Sequence, residues 1–403
     1  MSGRLRIAVA RALAPRVGST REVEAFEQAA SELLGGGSAV AFFKGRVALY
    51  TILRALGVGP EDEVILPGYT CVAVPAAVIY ARAKPVYADV NMEWYGVNPA
   101  QVESLITPRT KALVVQHTYG YPGPVKELKA LADRHGLALI EDGCHTFGGK
   151  LDGQCLGTFG AAGFFSAQWN KTFTTGLGGL AVISDSRLAD EVRRLAAGFQ
   201  NVSSRTARML AAQLVAHEVL VFPSINGFVT RLFRWLVARG WAIGSSSVAD
   251  FEPVMPAGFT SRPSPVQAQI GLLELERSSL NLGHRKQLSQ RYRQELNRLG
   301  YRLPEVPAAW DLVLVRFPLR VANKAVVLRR APAAGIEIGS WFEAPLHPVE
   351  TQHEKFHYCC GQCPVAERLC QETINLPLHS RVSERVFQKT LRFIAEVGRV
   401  AEG

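Results

Sequence analysis

The sequence predicts an α/β fold built on a mostly parallel sheet, with a smaller α+β domain toward the C-terminus. Three observations carry this. From about residue 39, short β-branched runs alternate with longer helical patterns, the signature of βαβ units. The intervening helical patterns stop near Gly or Pro. With 403 residues and 48% hydrophobic content, the chain can bury a core large enough to divide into two domains.

The chain opens on a basic stretch, with Arg4, Arg6, Arg11, Arg16 and Arg21 all ahead of the first acidic residue, Glu22. A solvated basic arm and a helix over residues 1–35 are expected, rather than a transit peptide or a membrane-surface arm. Strands are predicted at 63–66, 85–90, 112–117 and 137–142, with crossover helices at 47–56, 71–83 and 125–136. Further strands at 160–167 and 178–184 precede a helix that starts near Arg187. Residues 200–257 break the rhythm as an apolar, aromatic and basic insert. Within it, 228–244 is an amphipathic helix candidate that sets Arg231, Arg234 and Arg239 among Phe and Trp. A large domain over 36–257 and a smaller one over 258–403 follow, bridged by a long helix at 265–300 that is interrupted near Gly283.

The 45 Lys and Arg against 35 Asp and Glu give a net charge of +10, which favours anionic small molecules as ligands. No stretch has the pattern of a secretory signal, and no charge-free run approaches the roughly 20 residues that span a bilayer, so a cytoplasmic location is expected. The seven cysteines are an odd number, which suits reduced thiols. Cys359, Cys360, Cys363 and Cys370, with His353 and His357 upstream, hold enough ligand chemistry for zinc. They lack a second CxxC pair, so buried thiols and no metal are expected.

Asp142 ends an almost wholly apolar strand, which aims its carboxylate at the carboxyl edge of the sheet, where open α/β folds bind ligands. Alone, such an Asp is more often a helix cap or turn former. Its neighbours alter that. Ser166 lies in a second apolar strand, and Lys171 follows five residues later among Trp169, Phe173 and threonines. Gly176, Gly178 and Gly179 let backbone approach closely behind them. A lysine desolvated there is suited to Schiff-base chemistry, and a buried carboxylate is suited to a cationic partner.

The segment IEDGCHTFGGKLDGQCLGTFGAAGFFSAQWNKTFTTGLGGLAVISD resembles the DegT/DnrJ/StrS family of sugar aminotransferases, which are fold-type-I pyridoxal-phosphate enzymes. Glu141, Asp142, Gly148, Gly153, Gly157, Gly160, Ser166, Lys171, Gly176, Gly178 and Gly179 fall on the family pattern. The resemblance extends through 45–78, 261–276 and 363–379. It implies a large domain with a mostly parallel seven-stranded sheet and a homodimer with shared active sites. It also implies a reaction that moves an amino group from glutamate or glutamine to a keto sugar, nucleotide-linked, in glycan or secondary-metabolite biosynthesis. Nucleic acid is not among the expected partners.

Carried over by position, Lys171 looks like the residue that holds pyridoxal 5'-phosphate and shuttles protons. Asp142 looks like the partner of the pyridine nitrogen, His145 like the residue near the ring hydroxyl, and Ser166 like a phosphate ligand. Where the family reads Ser-Gly-Thr, this chain has Lys44, Gly45 and Arg46. Gly45 keeps a backbone anion site at a helix N-terminus. Lys44 and Arg46 either replace hydroxyl contacts to the cofactor phosphate, or meet a substrate phosphate, or are solvated. Cys71 stands where the family has a ring-stacking aromatic, with His145 or Tyr69 as the candidates to compensate. Thr260 replaces an Asn that reaches the neighbouring subunit's cofactor, while Arg262 persists. Histidine in place of Lys171 would point to sugar dehydration, and a degenerate site would point to a noncatalytic regulator. The insert is either a lid or dimer-contact helix packed within the protein, the favoured reading, or a membrane-surface element through 219–244.

Overall fold

The computed structural model describes residues 20–220, 233, 235–237, 239, 241–244, 252–349 and 351–401. Most of the basic arm lies outside them. The first described helix, α1 (Thr20–Leu33), packs Phe26 and Ala30 inward and leads to an edge strand, β1 (Ser38–Phe42). Helix α2 (Gly45–Ala55), strand β2 (Glu63–Pro67) and a two-residue strand β3 (Thr70–Cys71) follow. Then come α3 (Ala73–Tyr80), β4 (Lys84–Ala88), α4 (Pro99–Ser104), β5 (Thr110–Gln116), α5 (Val125–His135) and β6 (Ala138–Asp142).

A short hairpin, β7 (Lys150–Leu151) and β8 (Gln154–Cys155), precedes β9 (Ala162–Ser166) and β10 (Gly179–Ile183). The seven-stranded sheet has the order β1-β10-β9-β6-β5-β2-β4. It is parallel from β9 through β4 and antiparallel at β10. The strands are buried on both faces because crossover helices cover them, which explains their near-continuous apolar runs. The carboxyl ends of β5, β6 and β9 therefore emerge along one edge, at Gln116, Asp142 and Ser166.

Helix α6 (Ser186–Ala197) starts on Asp185, whose carboxylate accepts Leu188 N–H at 2.8 Å. The insert begins with α7 (Ser204–Leu220), whose Leu210, Ala211 and Leu214 pack on Phe43 and Leu177. The 228–244 candidate lies largely outside the described residues. Of it, Gln213 clasps Ile243 through two hydrogen bonds, while Trp235 and Trp241 are exposed.

The predicted helix at 265–300 is two helices, α8 (Pro265–Glu276) and α9 (Ser278–Arg298). The break falls at Arg277, where Ser278 Oγ donates to the Leu275 carbonyl, and not at Gly283. A glycine inside a helix costs only about 1 kcal/mol, so Gly283 weakens the helix without ending it. The helix predicted at 71–83 is likewise shorter. Cys71 is held in β3 by pairing with β13 (Leu346–His347), which draws it out of the helical stretch.

The remaining elements are β11 (Trp310–Asp311), β12 (Phe317–Arg320), α10 (Lys324–Arg330), α11 (Pro364–Glu372), β14 (Thr373–Leu376) and α12 (Glu384–Val397). Strands β12 and β14 pair antiparallel, and their Phe317, Leu319, Ile374 and Leu376 join the same apolar core as β2, β5 and β6. That continuity brings C-terminal residues up to the carboxyl edge of the main sheet.

Candidate active site

The edge of β6 is built from two adjacent carboxylates with different surroundings. Glu141 faces inward and is fully buried. It accepts N–H bonds from Gly157 (2.7 Å), Phe159 (2.5 Å) and Gly160 (2.7 Å), and a 3.0 Å bond from His117 Nε2. Since His117 Nδ1 accepts Gly123 N–H at 3.1 Å, its proton sits on Nε2. Glu141 thus folds the 157–160 turn back onto the sheet. Asp142 points to the other side, and its Oδ1 accepts Cys144 N–H at 3.0 Å. Burial raises its carboxyl above the usual range, against which the Cys144 bonds and the charge of Lys171, with a last contribution from His117, pull it back.

Lys171 sits in the loop from β9 to β10, which is cross-braced by Thr174 Oγ1 and Thr175 N–H, both donating to Ala167 O. Asn281 of α9 donates to the Thr172 carbonyl at 2.6 Å. The lysine is buried, with Nζ 5.0 Å from the centroid of the Trp341 indole. The His145 ring stacks on the same indole at 5.4 Å and 19°, the Arg316 guanidinium carbon lies 4.7 Å from it, and His347 approaches edge-on at 6.3 Å. His145 Nδ1 accepts Tyr119 N–H at 3.2 Å. Burial, then the cations Lys171 and Arg316, with a last contribution from His347, hold His145 well below the ordinary imidazole range, so its ring is neutral.

The second corner is a cradle of the kind that suits an anion, a helix N-terminus set against a strand end. A Cβ on Gly45 would sit 2.9 Å from Ser166 Cβ and 3.0 Å from the Phe165 carbonyl, so the first turn of α2 lies directly against the end of β9. The N-terminal turn of α2, which carries the buried Arg46, is thus set against Ser166. Lys44 is the extended residue before the helix. Gln267 Nε2 ties α8 to this corner, donating to Phe43 O (3.1 Å) and Leu177 O (2.7 Å). Thr260 and Arg262 flank it, half-buried, on a segment that pairs with Gln200 and whose Ser261 carbonyl accepts Phe43 N–H.

Lys171, Asp142, His145 and Cys71 therefore gather at one end of the site, while Ser166, Gly45, Arg46, Lys44, Thr260 and Arg262 gather at the other. Cys71 is half-buried beside His347. Tyr69 does not serve as a substitute stacking residue. It is fully buried, its hydroxyl 2.8 Å from that of Tyr119 and its ring edge-on to Phe342, which seals it from any ligand. The expectation of buried thiols holds for Cys363 and Cys370 only. Cys359 and Cys360 are exposed, at a turn closed by Gly361 with φ +83°. Among the described residues no group of three or more His, Cys, Asp or Glu could hold a metal ion. Trp341, Arg316 and His347 were not among the predicted site residues. The only signal for them was Trp341 and His347 in one aromatic, proline-bearing stretch, and an Arg inside the apolar run 312–319.

A buried lysine within electrostatic reach of a buried carboxylate, with a cradle at a helix N-terminus, suits an anionic, aldehyde-reactive cofactor with a basic ring nitrogen. Pyridoxal 5'-phosphate fits that donor set. The comparisons with known proteins agree. The chain matches the DegT/DnrJ/EryC1/StrS aminotransferase family over residues 8–394. It is 31% identical over 362 residues to a UDP-N-acetyl-3-dehydro-α-D-glucosamine 3-aminotransferase of Acidithiobacillus ferrooxidans, covering 89% of this chain and 84% of that one. It is 29% identical over 384 residues to GDP-perosamine synthase of Caulobacter vibrioides, covering 94% and 90%. The crystal structure of the aminotransferase TlmJ of Streptoalloteichus hindustanus superposes with a TM-score of 0.77 at 26% identity, covering 98% of this chain and 96% of that one. The chain belongs to the DegT/DnrJ/EryC1/StrS aminotransferase family. It is a pyridoxal-phosphate-dependent aminotransferase.

Proposed function

We propose that this enzyme transfers an amino group from glutamate or glutamine to a ketone on a nucleotide-linked sugar, with Lys171 as its catalytic residue. The observation that carries the reading is the buried Lys171 at the β9–β10 loop, within electrostatic reach of the buried Asp142 and of a neutral His145. When bound, the cofactor supplies the electron sink that lets a proton leave the amino-bearing carbon. Lys171 Nζ anchors the cofactor, and then takes and returns that proton. The Asp142 carboxylate would pair with the ring nitrogen and keep it protonated, and the neutral His145 would lie beside the ring. Ser166, the backbone N–H groups of Gly45 and Arg46, and the Arg46 side chain would hold the phosphate. Cys71 would border the ring without stacking on it.

The acceptor class follows from the relatives' names, and the net charge of +10 suits a diphosphate-bearing substrate. Lys44, Thr260 and Arg262, at the cradle's outer rim, are assigned to that substrate or to a second subunit of a homodimer. The chain divides at about residue 257 into a cofactor-binding domain and a smaller C-terminal one. Among the described residues no helix is long and apolar enough to cross a membrane.

The test is the visible spectrum of the purified protein with added cofactor, before and after borohydride, against Lys171→Ala. A band that depends on Lys171, and that borohydride converts to a covalent adduct on the peptide bearing it, is expected. Absence of both sinks the assignment.

A further inference from the structure

Arg316 is built into the site without a structural duty that accounts for it. It precedes β12, on a backbone pinned from two sides: Val315 N–H donates to the Tyr119 carbonyl at 2.9 Å, and the Val315 carbonyl accepts Arg285 Nη1 at 2.9 Å. A Cβ on Gly339 would overlap Arg316 Nη1, so residue 339 leaves the space that the guanidinium fills. The nearest acidic influence is Glu337, but that carboxylate accepts a 3.0 Å bond from His379. Among the described residues no carboxylate forms an ion pair with Arg316, and its fork of donors makes no hydrogen bond. It is half-buried, and it shares the Trp341 indole with Lys171 at 4.7 and 5.0 Å from the centroid.

A guanidinium held by backbone and aromatic contacts alone, with its planar fork unspent, is suited to a carboxylate that arrives with a ligand. We propose that Arg316 is the anchor for the α-carboxylate of the amino donor, an inference that rests on the aminotransferase reading above. The donor's carboxylate is one bond from the carbon whose proton Lys171 removes, so its partner must lie close to Lys171, and Arg316 does. A sugar nucleotide's diphosphate is several bonds farther from its reacting carbon. The basic residues at the cradle's rim suit it better than a cation sharing a ring with Lys171.

The experiment follows the change in the bound cofactor's spectrum when holoenzyme is mixed with L-glutamine, or with 4-aminobutanamide, which is glutamine without its α-carboxylate. Wild-type protein should react with glutamine far faster than with the amide. Arg316→Gln should lose on the order of 10²-fold or more in the second-order rate with glutamine, as expected for stranding one partner of a desolvated charge pair, and keep its slow rate with 4-aminobutanamide. Arg316→Lys, which keeps the charge and loses the fork, should fall between them.

Equal losses with both amines, or no loss with glutamine, would overturn the proposal while leaving the aminotransferase standing. So would a variant whose glutamine rate is intact but whose inhibition by UDP is weakened, because the anion at Arg316 would then be a phosphate. A wild-type holoenzyme whose spectrum responds to none of the common amino acids overturns the aminotransferase reading itself.

Discussion

Asn375 holds Trp341 by both sides of its peptide. Its Oδ1 accepts Trp341 N–H at 2.8 Å, and its Nδ2 donates to the Trp341 carbonyl at 3.0 Å. The same carbonyl accepts the Tyr119 hydroxyl at 2.5 Å, and the Asn375 backbone pairs with Gly339 in both directions. The indole that Lys171, Arg316 and His145 share is therefore placed from β14, a strand remote in sequence from all three. Asn375→Ala leaves a buried peptide N–H unpaired and should cost about 1–3 kcal/mol in urea unfolding. It should also slow the amino-donor half-reaction more than it weakens cofactor binding, because the cradle at α2 is untouched. Asn375→Asp keeps the acceptor and loses the donor, and should recover part of both.

Asp142 is the reciprocal case, a group whose burial opposes its charge. Because its carboxyl is raised in the folded protein, the folded state holds the proton more tightly than the unfolded chain. Stability from this group is thus present at low pH and declines as pH rises through that window. Asp142→Asn keeps an acceptor for Cys144 N–H and removes the buried charge. Without cofactor the variant should be at least as stable as wild type at pH 7 by thermal melting. With cofactor its turnover should fall on the order of 10²-fold or more, since the ring nitrogen has lost its counter-charge. A stable, fully active variant would remove Asp142 from the mechanism.

His347 behaves oppositely. Burial first, then Lys324, Lys171 and Arg316, depress its imidazole to about 4, with Glu343 opposing. Its Nδ1 accepts Glu343 N–H at 3.3 Å, a bond that needs the neutral ring. Between about 4 and the ordinary 6.5 the unfolded chain binds the proton and the folded one does not, so stability rises with pH across that window. Acidification from 6.5 toward 4 should therefore cost up to about 3 kcal/mol through this residue. His347→Gln should flatten that part of the pH–stability profile measured without cofactor. An unchanged slope would assign it to His145, which is depressed in the same direction.

What the sequence made legible follows from how locally each feature is encoded. The parallel strands are apolar because helices cover both faces, so their runs stand out, and Asp142, Ser166 and Lys171 lie on one continuous stretch from β6 through β10. Arg316, Trp341 and Asn375 come instead from strand ends and loops in the C-terminal part. They are joined to Lys171 only by contacts distant along the chain, which no periodicity reports. Tyr69 was misjudged because the bond that seals it, to Tyr119, lies on another strand's exit. Gly283 was misjudged because a glycine's effect on a helix depends on what surrounds it, and here nothing lies within 4 Å of where a Cβ would go.

The glycines at the cradle are the converse, and they give the sharpest test of the phosphate corner. A Cβ on Gly179 would overlap the carbonyl carbon and oxygen of Lys44, and one on Gly45 would meet Ser166 Cβ at 2.9 Å and the Phe165 carbonyl at 3.0 Å. These obstacles are mostly backbone, so no side-chain rotation relieves them. Gly179→Ala must push the first turn of α2 away from β9, widening the space between the helix N-terminus and Ser166. Overpacking of this kind costs about 1–3 kcal/mol. The cofactor's dissociation constant, read by spectral titration, should rise on the order of 10-fold or more, while borohydride still traps cofactor on Lys171 at saturation. Gly283→Ala serves as the contrast, because it has open space and helical geometry and should stabilise the protein by about 1 kcal/mol with no change in cofactor affinity. If Gly179→Ala binds cofactor as tightly as wild type, the phosphate sits elsewhere and the roles given to Gly45, Arg46 and Ser166 fall together.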